Sequence, residues 1–68
     1  HNDHRKARAL GYLGAVYKDL GDYQTSKNLL TQSLDIYDKH NLNNIGHAWI
    51  LAQLGNIYMI LGNYEKSK

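Results

Sequence analysis

Residues 7–27 read ARALGYLGAVYKDLGDYQTSK, and residues 48–68 read AWILAQLGNIYMILGNYEKSK. When the two stretches are aligned at an offset of 41 residues, ten of the 21 positions are identical. The identical pairs are Ala7/Ala48, Leu10/Leu51, Leu13/Leu54, Gly14/Gly55, Tyr17/Tyr58, Leu20/Leu61, Gly21/Gly62, Tyr23/Tyr64, Ser26/Ser67 and Lys27/Lys68. Identity at this density and at one fixed offset indicates an internal repeat, which is typical of repeat architectures.

The repeated residues have helical spacing. In each copy, four of them recur at i, i+3, i+4 and i+7, on one face of an amphipathic helix. They are Leu10, Leu13, Gly14 and Tyr17, and then Leu51, Leu54, Gly55 and Tyr58. A glycine inside a helix costs about 1 kcal/mol relative to alanine. Because that cost recurs at one position of the repeat, we expect a neighbouring helix to pack closely there, and we predict that this face is the core.

The ends of the helices can also be predicted. Gly21 and Gly62 follow the last periodic leucines and are suited to the left-handed conformation that ends a helix, so that Asp22 and Asn63 can cap the next one. We predict an all-α chain with helix A at about 5–20, helix B at 23–40, helix A′ at about 44–61 and the start of helix B′ at 64–68. The first repeat is residues 1–41, and the second, truncated, is residues 42–68. The predicted core face of helix B comprises Leu30, Leu34 and Tyr37, widened by Leu29 and Ile36, with the small Ser26 and Ser33.

The pattern Leu-Gly-x-x-Tyr, followed by x-x-Leu-Gly-[Asp/Asn]-Tyr and a small residue three positions on, resembles the tetratricopeptide repeat over nearly the whole chain. The resemblance implies helix-turn-helix units stacked as an α-α superhelix, a protein or peptide partner, and neither catalysis nor a cofactor. The 41-residue period exceeds the common length of about 34 residues and is similar to that of the long-repeat branch that includes kinesin light chain. Serines replace the family's usual alanines at Ser26, Ser33 and Ser67, and the usual proline after helix B is missing.

The resemblance also implies that the A helices line a concave wall. The stripes opposite the repeated face should then form a groove, and they comprise Arg8, Gly11, Tyr12, Ala15, Lys18 and Asp19, and Trp49, Ala52, Gln53, Asn56, Met59 and Ile60. We predict peptide contacts at Arg8, Tyr12, Lys18, Trp49, Gln53, Asn56 and Ile60. The predicted structural signature is Leu13, Gly14, Tyr17, Gly21, Tyr23, Leu54, Gly55, Tyr58, Gly62 and Tyr64.

Several groove residues have two interpretations. The side-chain amide of Asn56 can donate and accept hydrogen bonds at once, which suits binding to a peptide backbone. Alternatively, Asn56 is a surface residue of the repeat without a ligand. Trp49, the single tryptophan, is an anchor for a partner or covers the junction with the preceding repeat. Gly11 and Ala52 are small, so they either leave room for the backbone of a ligand or allow adjacent A helices to pack tightly. They also occupy positions at which lysines would be needed to bind a C-terminal carboxylate, as some arrays of the family do.

Other functional classes have less support. The net charge is +2, and the basic residues cluster only at Arg5, Lys6 and Arg8, without the basic stripe of a nucleic-acid reader. Cysteine is absent, and no apolar run approaches the length of about 18 residues that a membrane span needs. His1 and His4 have no third ligand that would complete a metal site. We therefore expect a cytoplasmic protein that is not an enzyme and has no metal site, membrane span or nucleic-acid ligand.

The number of repeats has a further consequence. A repeat buries its core face only against its neighbours, so Leu51, Leu54 and Tyr58 should be partly uncovered in this chain. We expect either a longer array or an oligomer that supplies the missing helix in trans. The alternative function is a self-associating or spacer segment with no foreign ligand.

Overall fold

The structure is a computed structural model that describes residues 3–40 and 45–66, with side chains described as far as Asn63. It has three helices: α1 (Asp3–Asp19), α2 (Tyr23–Lys39) and α3 (Ile45–Lys66). No strand occurs within these ranges. The all-α prediction is confirmed.

The turn between α1 and α2 forms as the sequence predicted. Gly21 has a φ of +88°, in the left-handed region that favours glycine. The backbone N–H of Gly21 donates to the carbonyl of Lys18 (3.0 Å), and that of Asp22 donates to the carbonyl of Tyr17 (2.9 Å), which is the Schellman pattern. The carboxylate of Asp22 then accepts from the backbone N–H of Thr25 at 3.2 Å and caps α2.

The buried face of α2 is also as predicted. It consists of Ser26, Leu30, Ser33 and Tyr37, with Leu34 and Ile36 partly buried beside them. The hydroxyl of Ser26 donates to the carbonyl of Gly14 (2.5 Å), and that of Ser33 donates to the carbonyl of Ala7 (2.6 Å). Because each buried hydroxyl has a partner, serine is accommodated where alanine is usual.

The buried face of α1 differs from the prediction. Ala7, Gly11 and Gly14 are buried, whereas Leu13 is 46% exposed. A Cβ at Gly14 would lie 2.7 Å from Leu30 Cγ, which is the close approach that the repeated glycine predicted. The helices approach so closely that small residues fill the α1–α2 contact, and the placement of Leu13 in the core is wrong for this structure.

The third helix packs on the α1–α2 hairpin through a face that the sequence analysis did not select. Ile50 and Ile57 are almost completely buried, and Leu54 is 6% exposed, at spacing i, i+4 and i+7. Leu51 and Tyr58 are 48% and 58% exposed, and no described atom of a neighbouring element lies within 4 Å of a Cβ at Gly55. The close packing expected at Gly55 therefore does not occur among the described residues, and Leu54, which was expected to be partly uncovered, is buried. The exposure expected from the missing helix occurs at Leu51 and Tyr58.

The C-terminal end of α3 also differs from the prediction. The helix passes through Gly62 and continues to Lys66, where a turn and a new helix were expected. Positive φ among the described glycines occurs at Gly21. After Gly21 the turn is held by the packing of α2, whereas no described atom of a neighbouring element lies within 4 Å of a Cβ at Gly62, so no contact among the described residues holds a turn there and the helix continues. The division into two repeats stays a prediction, and Ser67 and the side chain of Tyr64 lie outside the described residues.

Candidate functional site

A cavity of about 560 Å³ lies where the first half of α1, the last turns of α2 and the first turns of α3 meet. Its lining consists of His4, Arg8, Tyr12, Tyr37, Ile45, Gly46, Trp49 and Ile50. None of these eight residues is acidic, and most of them are aromatic or aliphatic. The cavity therefore offers an apolar interior next to two basic side chains.

Aromatic rings form two walls of the cavity. Tyr12 and Trp49 meet edge to face across α1 and α3, with ring centroids 5.8 Å apart at 61°. Tyr37 lies between two imidazoles, with its ring centroid 6.1 Å from that of His4 and 6.0 Å from that of His47. Rings held in such edge-to-face pairs present a rigid apolar surface to a ligand.

Arg8 provides a positive charge at the edge of the cavity. Its guanidinium lies 5.9 Å from the ring centroid of Tyr12. Side-chain hydrogen bonding with Tyr12, followed by the charge of Tyr12, raises the pKa of Arg8 above its ordinary value. A shallower depression beside the cavity is lined by Arg5, Arg8, Ala9 and Tyr12. The α1 side of the cavity is therefore cationic.

Two histidine–carboxylate pairs lie near the same end of the molecule. Nε2 of His40 lies 2.9 Å from Oδ2 of Asp3 and connects α2 to α1. Nε2 of His47 lies 3.1 Å from Oδ1 of Asp38 and connects α3 to α2. Asp3 and Asp38 each pair with a histidine, and neither makes an ion pair with Arg8 among the described contacts.

Further along the groove, a polar bridge joins the two A helices. Nζ of Lys18 donates a hydrogen bond to Oε1 of Gln53, and both side chains are partly buried. Beyond this bridge, Asn56 and Ile60 are exposed on α3. The structure thus brings Arg8, Tyr12 and Trp49 together at the cavity and joins Lys18 to Gln53, while Asn56 and Ile60 lie apart from both clusters.

The packing interpretation of Gly11 is the one that occurs. A Cβ at Gly11 would lie 2.5 Å from Cδ1 of Ile50 and 3.4 Å from Cζ3 of Trp49. Gly11 is therefore buried under α3 and is not an open floor for a ligand. Trp49 covers this junction between the two A helices and also lines the cavity, so its two interpretations are compatible.

The sequence analysis missed five lining residues: His4, Tyr37, Ile45, Gly46 and Ile50. Tyr37 was recognised as a core residue, and its ring indeed has only 1% exposure. It also contributes to the lining of the cavity. The helical spacing could have found two of them. His4 lies one turn before Arg8, and Ile45, its equivalent at the 41-residue offset, lies one turn before Trp49.

No group of three or more histidine, cysteine, aspartate or glutamate side chains suited to a metal occurs in residues 3–40 and 45–66. Over the same part of the chain, none of the helices combines the length and apolar character needed to cross a bilayer.

Comparison with known families agrees with the all-α helix-turn-helix fold. A family model described as tetratricopeptide repeat matches residues 6–41, which is more than half of the chain, and a second model with the same description matches residues 50–68. Neither the curated proteins nor the solved structures gave a significant match. The chain therefore belongs to the tetratricopeptide repeat family.

Proposed function

We propose that this chain is a protein-interaction module that binds an extended segment of a partner along the groove between α1 and α3. Tetratricopeptide repeats generally mediate protein–protein interaction or scaffolding, and the family is typically non-catalytic. The observation that carries the finer proposal is the cavity, because it combines Tyr12, Trp49 and Arg8 on the face formed by the two A helices.

The chemistry of the cavity indicates what the segment carries. Tyr12 and Trp49 offer aromatic surface to one large apolar side chain, which gains free energy by leaving water. Arg8 and Arg5 lie beside that position, so a carboxylate next to the apolar residue is favoured over a lysine or arginine. We therefore propose a segment with a large apolar residue flanked by acidic residues.

The lower groove has a different role in this proposal. The exposed amide of Asn56 is available to a peptide backbone, and the exposed part of Ile60 extends the apolar contact. Lys18 and Gln53 are already bonded to each other, so they hold α1 and α3 at a set distance. A segment lying along the groove passes over this bridge between the cavity and Asn56.

The test begins with a random peptide library displayed on phage and panned against the full chain. Trp49 is the only tryptophan, so its fluorescence reports the affinity of each selected peptide that lacks tryptophan. We expect enrichment of a large apolar residue beside aspartate or glutamate. Tyr12→Ala should weaken binding about five- to thirtyfold, and Arg8→Glu about tenfold.

The matched control is Lys6→Glu, which reverses a charge two residues from Arg8 on an exposed position outside the cavity lining. It should change the affinity less than about twofold at 0.15 M salt, because exposed charges at this separation are screened. Equal loss of affinity in Lys6→Glu and Arg8→Glu would mean that the cavity has no special role. Peptides whose affinity is unaffected by Tyr12→Ala would place the binding site elsewhere.

Self-association is the second candidate function, and one observation favours it. Apolar side chains are exposed outside the groove, namely Leu13, Val16, Leu20, Leu51 and Tyr58. Sedimentation equilibrium across a hundredfold concentration range distinguishes the two functions, since a groove-binding module alone leaves the chain monomeric. Membership of a longer solenoid, the kinesin light chain branch and a cytoplasmic location stay predictions.

A further inference from the structure

Two depressions on the α1 side of the groove are joined through shared side chains. Arg8 and Tyr12 line both the aromatic cavity and the shallower depression beside it, and Arg5 and Ala9 complete the shallower one. None of the residues that line either depression is acidic. An extended segment that places an apolar side chain in the cavity therefore reaches the shallower, basic depression with a neighbouring side chain.

The two arginines of the basic depression are available to the same ligand group. Arg5 and Arg8 are three residues apart on α1, so their Cβ atoms lie about 5–6 Å apart on one face of the helix. Both side chains are exposed, and neither pairs with a carboxylate within residues 3–40 and 45–66. Like charges this close on a helix lower its stability, and an anion bound between them removes that repulsion.

The pair of arginines fits a phosphate group better than a carboxylate. A guanidinium presents its N–H donors as a planar fork, and a carboxylate has two oxygens, which one such fork can satisfy. A phosphomonoester has three terminal oxygens and about 1.5 to 2 negative charges at pH 7, so it can accept hydrogen bonds from both guanidiniums at once. Both positions hold arginine and not lysine, which lacks the fork.

The surroundings favour a single phosphate on a protein segment over a nucleic-acid strand. A strand presents a phosphate at every nucleotide and is usually bound by basic residues along a whole face. Residues 45–63, which form the α3 side of the groove, contain no lysine or arginine. On the α1 side, Lys18 is already bonded to Gln53. The charge available for phosphate is therefore concentrated at Arg5 and Arg8, beside the aromatic cavity.

We propose that the segment bound in the groove carries a phosphorylated serine or threonine next to its large apolar residue. The apolar side chain occupies the cavity between Tyr12 and Trp49, and the phosphate lies between the guanidiniums of Arg5 and Arg8. This inference rests on the proposed function and adds regulation to it. Phosphorylation of the partner strengthens its binding to the groove, and removal of the phosphate releases it.

The probe comes from a peptide library that has a fixed central phosphoserine and random neighbours, applied to the full chain. The tightest peptide is then synthesised with a fluorescein label in three forms, which carry phosphoserine, glutamate or serine at the central position. Fluorescence anisotropy gives the affinity of each form. We expect a large apolar residue to be enriched beside the phosphoserine, and we expect the phosphoserine form to bind at least about tenfold more tightly than the glutamate form.

Arg5→Gln tests whether the second arginine recognises the phosphate. It should reduce the preference for phosphoserine over glutamate to about twofold or less, because one guanidinium remains for either anion. The matched control is Lys6→Gln, which removes the same charge from the next residue, exposed and outside the lining of both depressions. It should leave the preference within about twofold of the wild-type value at 0.15 M salt. Circular dichroism checks that both variants keep the wild-type helix content.

The possible failures separate this inference from the proposed function. If the phosphoserine and glutamate forms bind equally, or if Arg5→Gln and Lys6→Gln reduce the preference equally, the phosphate inference is overturned. The proposed function is then still supported by unphosphorylated peptides whose affinity Tyr12→Ala weakens. If no peptide with or without phosphate binds, both are overturned. A single-stranded oligoribonucleotide that binds as tightly as the phosphoserine peptide and displaces it would overturn the choice of a protein partner.

Discussion

Gly14 and Gly55 are equivalent in the repeat and lie in opposite surroundings. The first is buried with Leu30 against it, and the second is open. The same residue type is therefore required by the packing at Gly14, whereas at Gly55 no contact among the described residues requires it. This contrast makes the pair a direct test of what the repeated glycine does.

We predict that Gly14→Ala lowers the free energy of unfolding by up to about 2 kcal/mol. Close packing of the new Cβ against Leu30 Cγ and the Ser26 carbonyl costs about 1–3 kcal/mol, of which the higher helix propensity of alanine returns up to about 1 kcal/mol. Gly55→Ala should raise the free energy of unfolding by about 1 kcal/mol, because only the propensity changes. Urea unfolding followed by circular dichroism measures both, and equal effects of the two variants would contradict the packing argument.

At the scale of elements, the α1–α2 hairpin is defined by its turn and by hydroxyl contacts. Gly21 ends α1, Asp22 begins α2, and the serines of α2 satisfy two carbonyls of α1. The turn and the cap are local interactions, and the two hydroxyl contacts join residues of one hairpin that are 12 and 26 positions apart. The hairpin is therefore the part of the fold that the sequence specifies most directly.

The capping residue gives the prediction at this scale. Asp22→Ala removes the acceptor for the backbone N–H of Thr25 and should lower the free energy of unfolding by about 1 kcal/mol. Asp35→Ala is the control, since it makes the same chemical change at an exposed position within α2, and it should alter stability by less than about 0.5 kcal/mol. Equal losses in urea unfolding would show that the cap contributes nothing particular.

At the scale of the whole molecule, α3 is attached to the hairpin by few buried side chains. Ile50, Leu54 and Ile57 make most of this contact, and the partly buried Trp49 packs against it on the groove side. A core of this size rarely supplies more than about 3–5 kcal/mol. The docking of α3, and with it the cavity, therefore depends on single apolar residues.

We predict that Ile57→Ala lowers stability by about 2–4 kcal/mol and releases α3 from the hairpin. Trp49, which is partly buried at the junction, should then shift its fluorescence to longer wavelength. Ile60→Ala is the matched control, because Ile60 is exposed on the groove side and its loss should leave the spectrum unchanged. An unshifted Trp49 spectrum in Ile57→Ala would mean that other contacts hold α3.

The sequence by itself determined the helical class, the two-helix hairpin and its capping residues, and the buried face of α2. These follow from periodicity, from Gly21 and Asp22 in the turn, and from the repeat at 41 residues. Such signals come from neighbouring residues or from the alignment of the sequence with itself. The sequence also indicated that Arg8, Tyr12 and Trp49 belong to one surface, because they share a helical phase opposite the repeated face.

Only the tertiary structure decided which face of α3 packs on the hairpin, which lies on the groove and which stays exposed. Helical periodicity identifies apolar residues but not which neighbour covers them, and Ile50, Leu51, Leu54, Ile57 and Tyr58 are all apolar and adjacent in phase. The hairpin selects Ile50, Leu54 and Ile57, which leaves Leu51 and Tyr58 open. The same docking buries Gly11 and brings Tyr37 to the cavity, since those contacts exist only once two helices distant in sequence have met.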